Sequence, residues 1–486
     1  MLEDNYRWMR DKSSPEVVEY LEAENAYTHS VMAPTEQLQK KLYAEMLSHI
    51  KETDQSVPYR DRGWFYYTRT VEGSQYAIYC RRLATGRKFD ESQPEEILLD
   101  VNKLAEGQPF MAVGTMTVSP DGFKLAYSTD NTGFRQYTLH VRDLEGNKDL
   151  SDTAERVGSI AWAADSTTLF YTTEDEVTKR HDHLFRHRLG DAAAQDVVVY
   201  EEKDERFNLG VDKTRDCKYL LIESGSHTTS EWRFLSAHTP EGEFKVIAPR
   251  LEEQEYVVDH RHGLFYIRTN DVGKNFRVVT APVERSGREF WMELIPMDKD
   301  APLEDFELFA SFCFSSYRKL GLSTLTVTAI EANGTLGGSR EIDLPEPVYS
   351  AGAYANPEFD TDIFLYGYQS LVSPASVYEY DVETGSSTLL KQQEVPGGFD
   401  SVLYGSERVW VEAADGVRVP VSVVYRRDVF KRNSKNPLYV YGYGSYGYPL
   451  PIGFSPSRLS LLDRGVVVAF AHIRGGGEME IGRAHV

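Results

Sequence analysis

Between residues 61 and 400 the chain alternates short β-branched and aromatic runs with polar or glycine-bearing turns. Trp64-Phe65-Tyr66-Tyr67, Tyr76-Ala77-Ile78-Tyr79 and Tyr137-Thr138-Leu139-His140-Val141 have the length and composition of strands. One turn pattern returns with them. Ser119-Pro120-Asp121-Gly122 precedes Leu125-Ala126-Tyr127, Ala163-Ala164-Asp165-Ser166 precedes Leu169-Phe170-Tyr171, and Thr214-Arg215-Asp216-Cys217 precedes Leu220-Leu221-Ile222. The stretch from Val258 to Tyr266 reads as a shorter copy. Turn-then-strand units returning every ~40 to 50 residues predict a β-propeller, and the segment has room for about seven of them. A long array of β-sandwiches is the alternative, but it leaves the repeated turn aspartate unexplained.

The flanks follow other periods. Before residue 60 the pattern is helical: Ser14 precedes Pro15, a start signal, and Val17, Leu21 and Tyr27 make a rough apolar face. Pro34-Thr35 breaks the run, and Leu38, Leu42, Met46 and Ile50 restart it at i+4 spacing. Two such helices need another surface to cover their stripes. After residue 400, residues 409–425 alternate apolar and polar positions around Asp415-Gly416, the pattern of a hairpin. Residues 436–478 then hold two short apolar runs, Leu438 to Tyr441 and Val466 to Ala471. Both suit strands buried on two faces of a mostly parallel sheet. Each empties into glycine: residues 442–447 read GYGSYG and residues 475–477 read GGG. Loops at the carboxyl ends of parallel strands are where α/β enzymes place their chemistry, and glycine lets backbone approach a ligand closely.

Charge narrows the function. The net charge of −22 argues against nucleic acid, whose phosphates require basic patches. It suits solubility and, through steering, basic peptides. The acidic groups Glu201-Glu202, Asp204-Glu205 and 252–255 are read as exposed loops, with a cationic-peptide channel as the sharper alternative. Cys80, Cys217 and Cys313 are odd in number and widely spaced, and are read as reduced core thiols, not as a disulfide framework or a metal site. His181, His183 and His187 have a spacing that could ligate a metal, but they stand among Lys179, Arg180, Arg186 and Arg188, and a solvated loop or blade edge is the expectation. No metal or organic cofactor is expected. No apolar run reaches the ~18 to 20 residues of a membrane span, and the start lacks a basic-then-apolar signal, so a cytoplasmic protein with no membrane partner is the default.

VYGYGSYG, SRLSLLDRG and AHIRGGGE, with EDNYRWMRD near the start, are similar to segments of the prolyl oligopeptidase family of serine peptidases, and most of all to its oligopeptidase B branch. The resemblance runs from about Asp4 to Glu478. It implies a seven-bladed β-propeller over 61–400, an amino-terminal helical segment over 1–60 packed on the hydrolase, and the first part of an α/β-hydrolase domain over 401–480. It also implies hydrolysis of short peptides after Lys or Arg by an acyl-enzyme route, behind a propeller that screens out folded proteins. In this family the tyrosine matching Tyr443 offers its hydroxyl to the tetrahedral oxyanion. The family's nucleophilic serine sits on a later strand-to-helix elbow, followed by aspartate and histidine. The 486 residues contain no G-x-S-x-G, and Ser445 in Y-G-S-Y-G lacks that pattern. The sequence is therefore read as cut short at its carboxyl end and, by itself, inactive.

Residues 481–486 depart from the family and read as a non-native tail, so His485 is no catalytic histidine. The family's short leader before the segment matching residues 4–11 leaves the true start open. A second departure bears on specificity: the segment from Tyr448 to Phe454 has no carboxylate where oligopeptidase B carries acids for a second basic side chain. Prolyl cleavage within the same family, and a non-catalytic peptide-binding propeller, are the competing readings.

Overall fold

The computed structural model describes residues 4–433 and 435–479; the expected tail at 481–486 lies outside them. Seven four-stranded antiparallel sheets follow one another as meanders over residues 59–100, 112–154, 157–201, 208–248, 256–295, 303–341 and 349–392, and form blades 1 to 7 of a propeller. Each blade is a run of consecutive strands, and among the described residues no blade takes a strand from a distant part of the chain.

The repeated aspartate closes the turn between the first and second strands of its blade. Asp121, Asp165 and Asp216 accept the backbone N–H two residues on, from Phe123, Thr167 and Lys218. The residue after each aspartate, Gly122, Ser166 or Cys217, has a positive φ of 81°, 58° or 58°. An aspartate that ties down its own turn is the usual way to hold such a tight reversal. In blade 5 the role passes to His260. Its Nε2 accepts the Gly263 N–H at 3.0 Å while Nδ1 donates to Asp216 at 2.7 Å, which fixes the neutral tautomer.

Apolar side chains fill each gap between consecutive blades from 1 to 7. Tyr66 and Leu99 meet Leu125 between blades 1 and 2, and Phe314 and Leu325 meet Phe364 and Tyr366 between blades 6 and 7. The seam where blade 7 returns to blade 1 is different. Among the described residues it is joined by polar contacts: Arg87 to Asp362 at 3.0 Å and Asp381 at 2.9 Å, the Arg62 N–H to Glu358 at 3.0 Å, and Lys391 to Asp54 at 2.6 Å. Partly exposed pairs of this kind contribute little each and are screened by salt. Hydrogen exchange in Tyr59–Asp61 and Ser386–Gln392 is therefore expected to outpace exchange at the other inter-blade faces and to quicken with added salt. Uniform protection around the ring would contradict this.

Helix α1 (Pro15–Met32) starts at Ser14, although the Ser14 hydroxyl makes no capping bond. Of the predicted face only Val17 is buried; Leu21 and Tyr27 stay exposed, as do Val31 and Met32 at the end of the helix. Helix α2 (Glu36–Ser48) reaches across to the 456–464 segment, where Glu45 takes two hydrogen bonds from Arg464 at 2.7 and 2.8 Å. No helix among the described residues is long and apolar enough to cross a membrane.

The eighth sheet has the order Tyr404–Glu412, Arg418–Arg426, Val467–Ala471, Leu438–Gly442. The predicted hairpin forms the first pair, in register from Tyr404 opposite Arg426 to Glu412 opposite Arg418. The last two strands run parallel, with Leu438 opposite Val467 and Gly442 opposite Ala471. One expectation fails here. Val467 and Val468 are buried, but Leu438, Tyr439, Val440 and Tyr441 remain 43 to 61 % exposed, because their strand is the sheet edge. The sheet rests on blade 7 through Val348 and Leu371, packed with Val424, Ile452, Leu459 and Val468.

Candidate active site

The two glycine turns meet. Parallel pairing of Leu438–Gly442 with Val467–Ala471 delivers residues 443–448 and 472–478 side by side at the carboxyl ends of both strands. The Gly447 N–H donates to the Gly475 carbonyl at 2.9 Å. Backbone lies on backbone: a Cβ at Gly475 would press into the Gly444 carbonyl, and one at Gly477 into the Gly447 carbonyl. Gly475 also has a φ of 91°. Gly475→Ala should therefore cost at least about 2 kcal/mol through strain and overlap together. Gly416→Ala separates the two causes, since Gly416 has a φ of 82° with nothing near its missing Cβ. A melting midpoint no lower for Gly475→Ala than for Gly416→Ala would deny the close approach.

Tyr443 stands at the rim, 45 % exposed, its ring edge-on to Tyr448 with centroids 6.1 Å apart. Its hydroxyl has no hydrogen-bond partner among the described residues. Tyr446 sits in the left-handed region at φ 55° and meets His227 of blade 4 edge-on at 6.1 Å, so this loop touches the propeller. The segment without a carboxylate packs under the same loop. Leu450 and Ile452 are buried, and the Phe454 N–H donates to Gln369 of blade 7 at 3.1 Å.

A buried relay that the sequence reading missed holds the second turn. His472 Nε2 lies 2.8 Å from the Ser422 hydroxyl oxygen, and Nδ1 lies 2.9 Å from Glu478 Oε1. The Leu450 N–H also donates to Glu478 Oε1 at 2.8 Å. Burial alone would raise the Glu478 carboxyl, but these hydrogen bonds hold it below its usual range. The order of the groups imitates a serine–histidine–acid relay, yet the geometry is structural. Ser422 is fully buried in mid-strand, between Arg408 and Phe470 on its two neighbours, where no substrate carbonyl can reach it.

At the other end of the propeller axis lies a chamber of 720 Å³. Blade 7 fixes the polarity: Val348 at one end of its first strand packs on the hydrolase strands, while residues 355–357 beyond the other end line the chamber. Charges of both signs face it, among them Asp61, Lys213, Arg215, Asp259 and Glu307. Burial pushes the Asp259 carboxyl up to about 6, and pushes Glu307 up to about 7 against the pull of Arg215.

The histidine cluster is no solvated edge. His181, His183 and His187 lie on the third strand of blade 3, His181–Arg188. His187 is sealed, with Nε2 2.9 Å from Asp152 and Nδ1 2.7 Å from Asp196. No group among the described residues is arranged to hold a metal ion. The acidic groups divide: Glu202 is buried on Arg250 at 2.5 Å, while Glu201, Glu205, Glu252 and Glu253 are exposed.

A seven-bladed propeller is joined to the opening strands of an α/β-hydrolase sheet, and comparison with known proteins gives the family. The N-terminal β-propeller domain of prolyl oligopeptidase matches residues 1–393. The chain belongs to the prolyl oligopeptidase family of serine peptidases. It is 42% identical to dipeptidyl aminopeptidase BI of Pseudoxanthomonas mexicana, over 99% of this chain and 67% of that protein. It is 32% identical to protease 2 of Moraxella lacunata, over 98% of this chain and 68% of that one. Oligopeptidase B of Trypanosoma brucei, solved in a closed form with covalently bound antipain, superposes with a TM-score of 0.91 at 32% identity, over 98% of this chain and 68% of that chain. The chain thus spans about two thirds of the length of these relatives.

Proposed function

We propose that this chain is the propeller and the front of the hydrolase domain of a cytoplasmic serine-type oligopeptidase that cleaves short peptides after Lys or Arg. The observation that carries the reading is the interlocked pair of glycine turns, with the Tyr443 hydroxyl unengaged at their rim. In the mechanism, Tyr443 and a backbone N–H hold the oxyanion while serine attacks and histidine carries the proton. The triad is assigned to the third of the relatives' length that this chain does not match. The 486 residues, which hold no G-x-S-x-G, are by themselves without hydrolytic activity. The acidic chain as a whole favours basic peptides by steering. Segment 1–60 serves the hydrolase domain as a support, through α2 and its Glu45–Arg464 contact.

The name of the 42% identical relative favours a second reading, release of dipeptides from a free amino terminus. One assay separates these. A longer form, recovered by extending the transcript, is tested on fluorogenic peptides ending in Lys, Arg or Pro, each with a free and a blocked amino terminus. Cleavage after Lys or Arg irrespective of blocking supports the first reading, and dependence on the free terminus supports the second. Cleavage after Pro alone would overturn the first reading, and the second as well where it proceeds with the amino terminus blocked.

A further inference from the structure

The turn between the first two strands carries Pro120 in blade 2, Ala164 in blade 3 and Arg215 in blade 4 at equivalent places before the repeated aspartate. Of these only Arg215 is long enough to leave its own blade. Its Nη2 donates to Glu307 of blade 6 at 2.9 Å, and its Nη1 donates to the carbonyl of Asn356, in the loop beyond the first strand of blade 7. Its backbone N–H is held by Asp259 of blade 5 at 2.9 Å, and its guanidinium carbon lies 4.5 Å from the centre of the Phe309 ring.

Blades 4 and 7 stand across the axis of a seven-membered ring, so one side chain bridges the outer mouth of the chamber. The acceptors are firm. Asn356 is pinned by its own amide to the Leu365 carbonyl at 2.9 Å and by the Leu365 N–H at 2.7 Å. Glu307 belongs to the strand Leu303–Leu308. A guanidinium is the group suited to this reach, since it donates in two directions from a rigid plane.

We propose that Arg215, latched on Glu307 and Asn356, bars the axial mouth of the propeller to peptide and is thereby a determinant of which substrates approach the hydrolase strands. Its part in substrate selection rests on the oligopeptidase reading; the barrier itself does not. Cys217, two residues on, lines the same chamber, while Cys80 and Cys313 are 1 % and 0 % exposed. Thiol labelling at Cys217 therefore reports on the mouth without requiring any activity.

The experiment compares, in the full chain, labelling of Cys217 by N-ethylmaleimide and by a maleimide on a long poly(ethylene glycol). Peptide mass spectrometry reads the product, Cys217→Ser gives the background, and circular dichroism confirms the fold of each variant. In the wild type the small reagent is expected to react and the polymer-borne one to lag far behind. Arg215→Ala should raise the ratio of polymer-borne to small-reagent rates by at least about tenfold, and Glu307→Gln by less, since one of two acceptors remains. Should Arg215→Ala not fold, a raised ratio in Glu307→Gln carries the test. A wild type labelled equally fast by both reagents, or folded variants with an unchanged ratio, would overturn the latch. Loss of the peptidase reading would leave the labelling result standing, and the reverse also holds.

Discussion

Tyr443→Phe, made in the catalytically complete form proposed above, is expected to lower kcat by about 10²- to 10³-fold with little change in KM. The substitution removes one oxygen and keeps the ring edge against Tyr448, so the rim should keep its shape. That hydroxyl has no competing partner among the described residues, which leaves its donor capacity for charge that develops in the transition state. A donor that acts only there changes kcat and leaves ground-state binding alone. A loss under about tenfold, or one carried by KM, would remove Tyr443 from the oxyanion site.

His187→Gln is expected to be the most destabilising single change inside the propeller, by about 3 to 5 kcal/mol at pH 6. Asp152 of blade 2 and Asp196 of blade 3 each face one ring nitrogen. Both carboxylates are otherwise engaged as acceptors, Asp152 from the Gly190 N–H and Asp196 from the Tyr171 hydroxyl, each at 2.6 Å. A ring that donates from both nitrogens is an imidazolium. Burial alone would lower its pKa, but the hydrogen bonds and charges of the two aspartates raise it above the ordinary histidine value. The sign for stability follows. A raised folded-state value means that the contribution is complete below the unfolded value of about 6.5 and is lost as pH rises through the folded value. The urea midpoint of the wild type should therefore fall with rising pH in that window, and the His187→Gln profile should lack this component. Parallel profiles would show that His187 is neutral in the folded protein.

How much of this was legible in the sequence differs between residues. The turn aspartates were visible because each acts within its own turn, two residues from the N–H that it caps. The glycines of 442–447 and 475–477 were visible as turns, but their mutual contact was not, because strand pairing brings together backbones some thirty positions apart. His187 was misread for the same reason: its neighbours in sequence are arginines, while Asp152 lies 35 positions away on another blade. The Ser422–His472–Glu478 relay left no local signal either, since Ser422 joins it from a strand 50 positions before His472.

Local chemistry in the chain thus determined the repeating turn-then-strand units, the hairpin at Asp415-Gly416 and the family motifs, because strand period, turn residues and glycine conformations are short-range properties. The tertiary structure decided what these elements do to one another. Ring closure set blade 7 against blade 1 through charges and placed Arg215 across the axis. Each of these outcomes depends on which surfaces meet, and a contact between distant segments is fixed by packing and pairing energies that no local window of sequence contains.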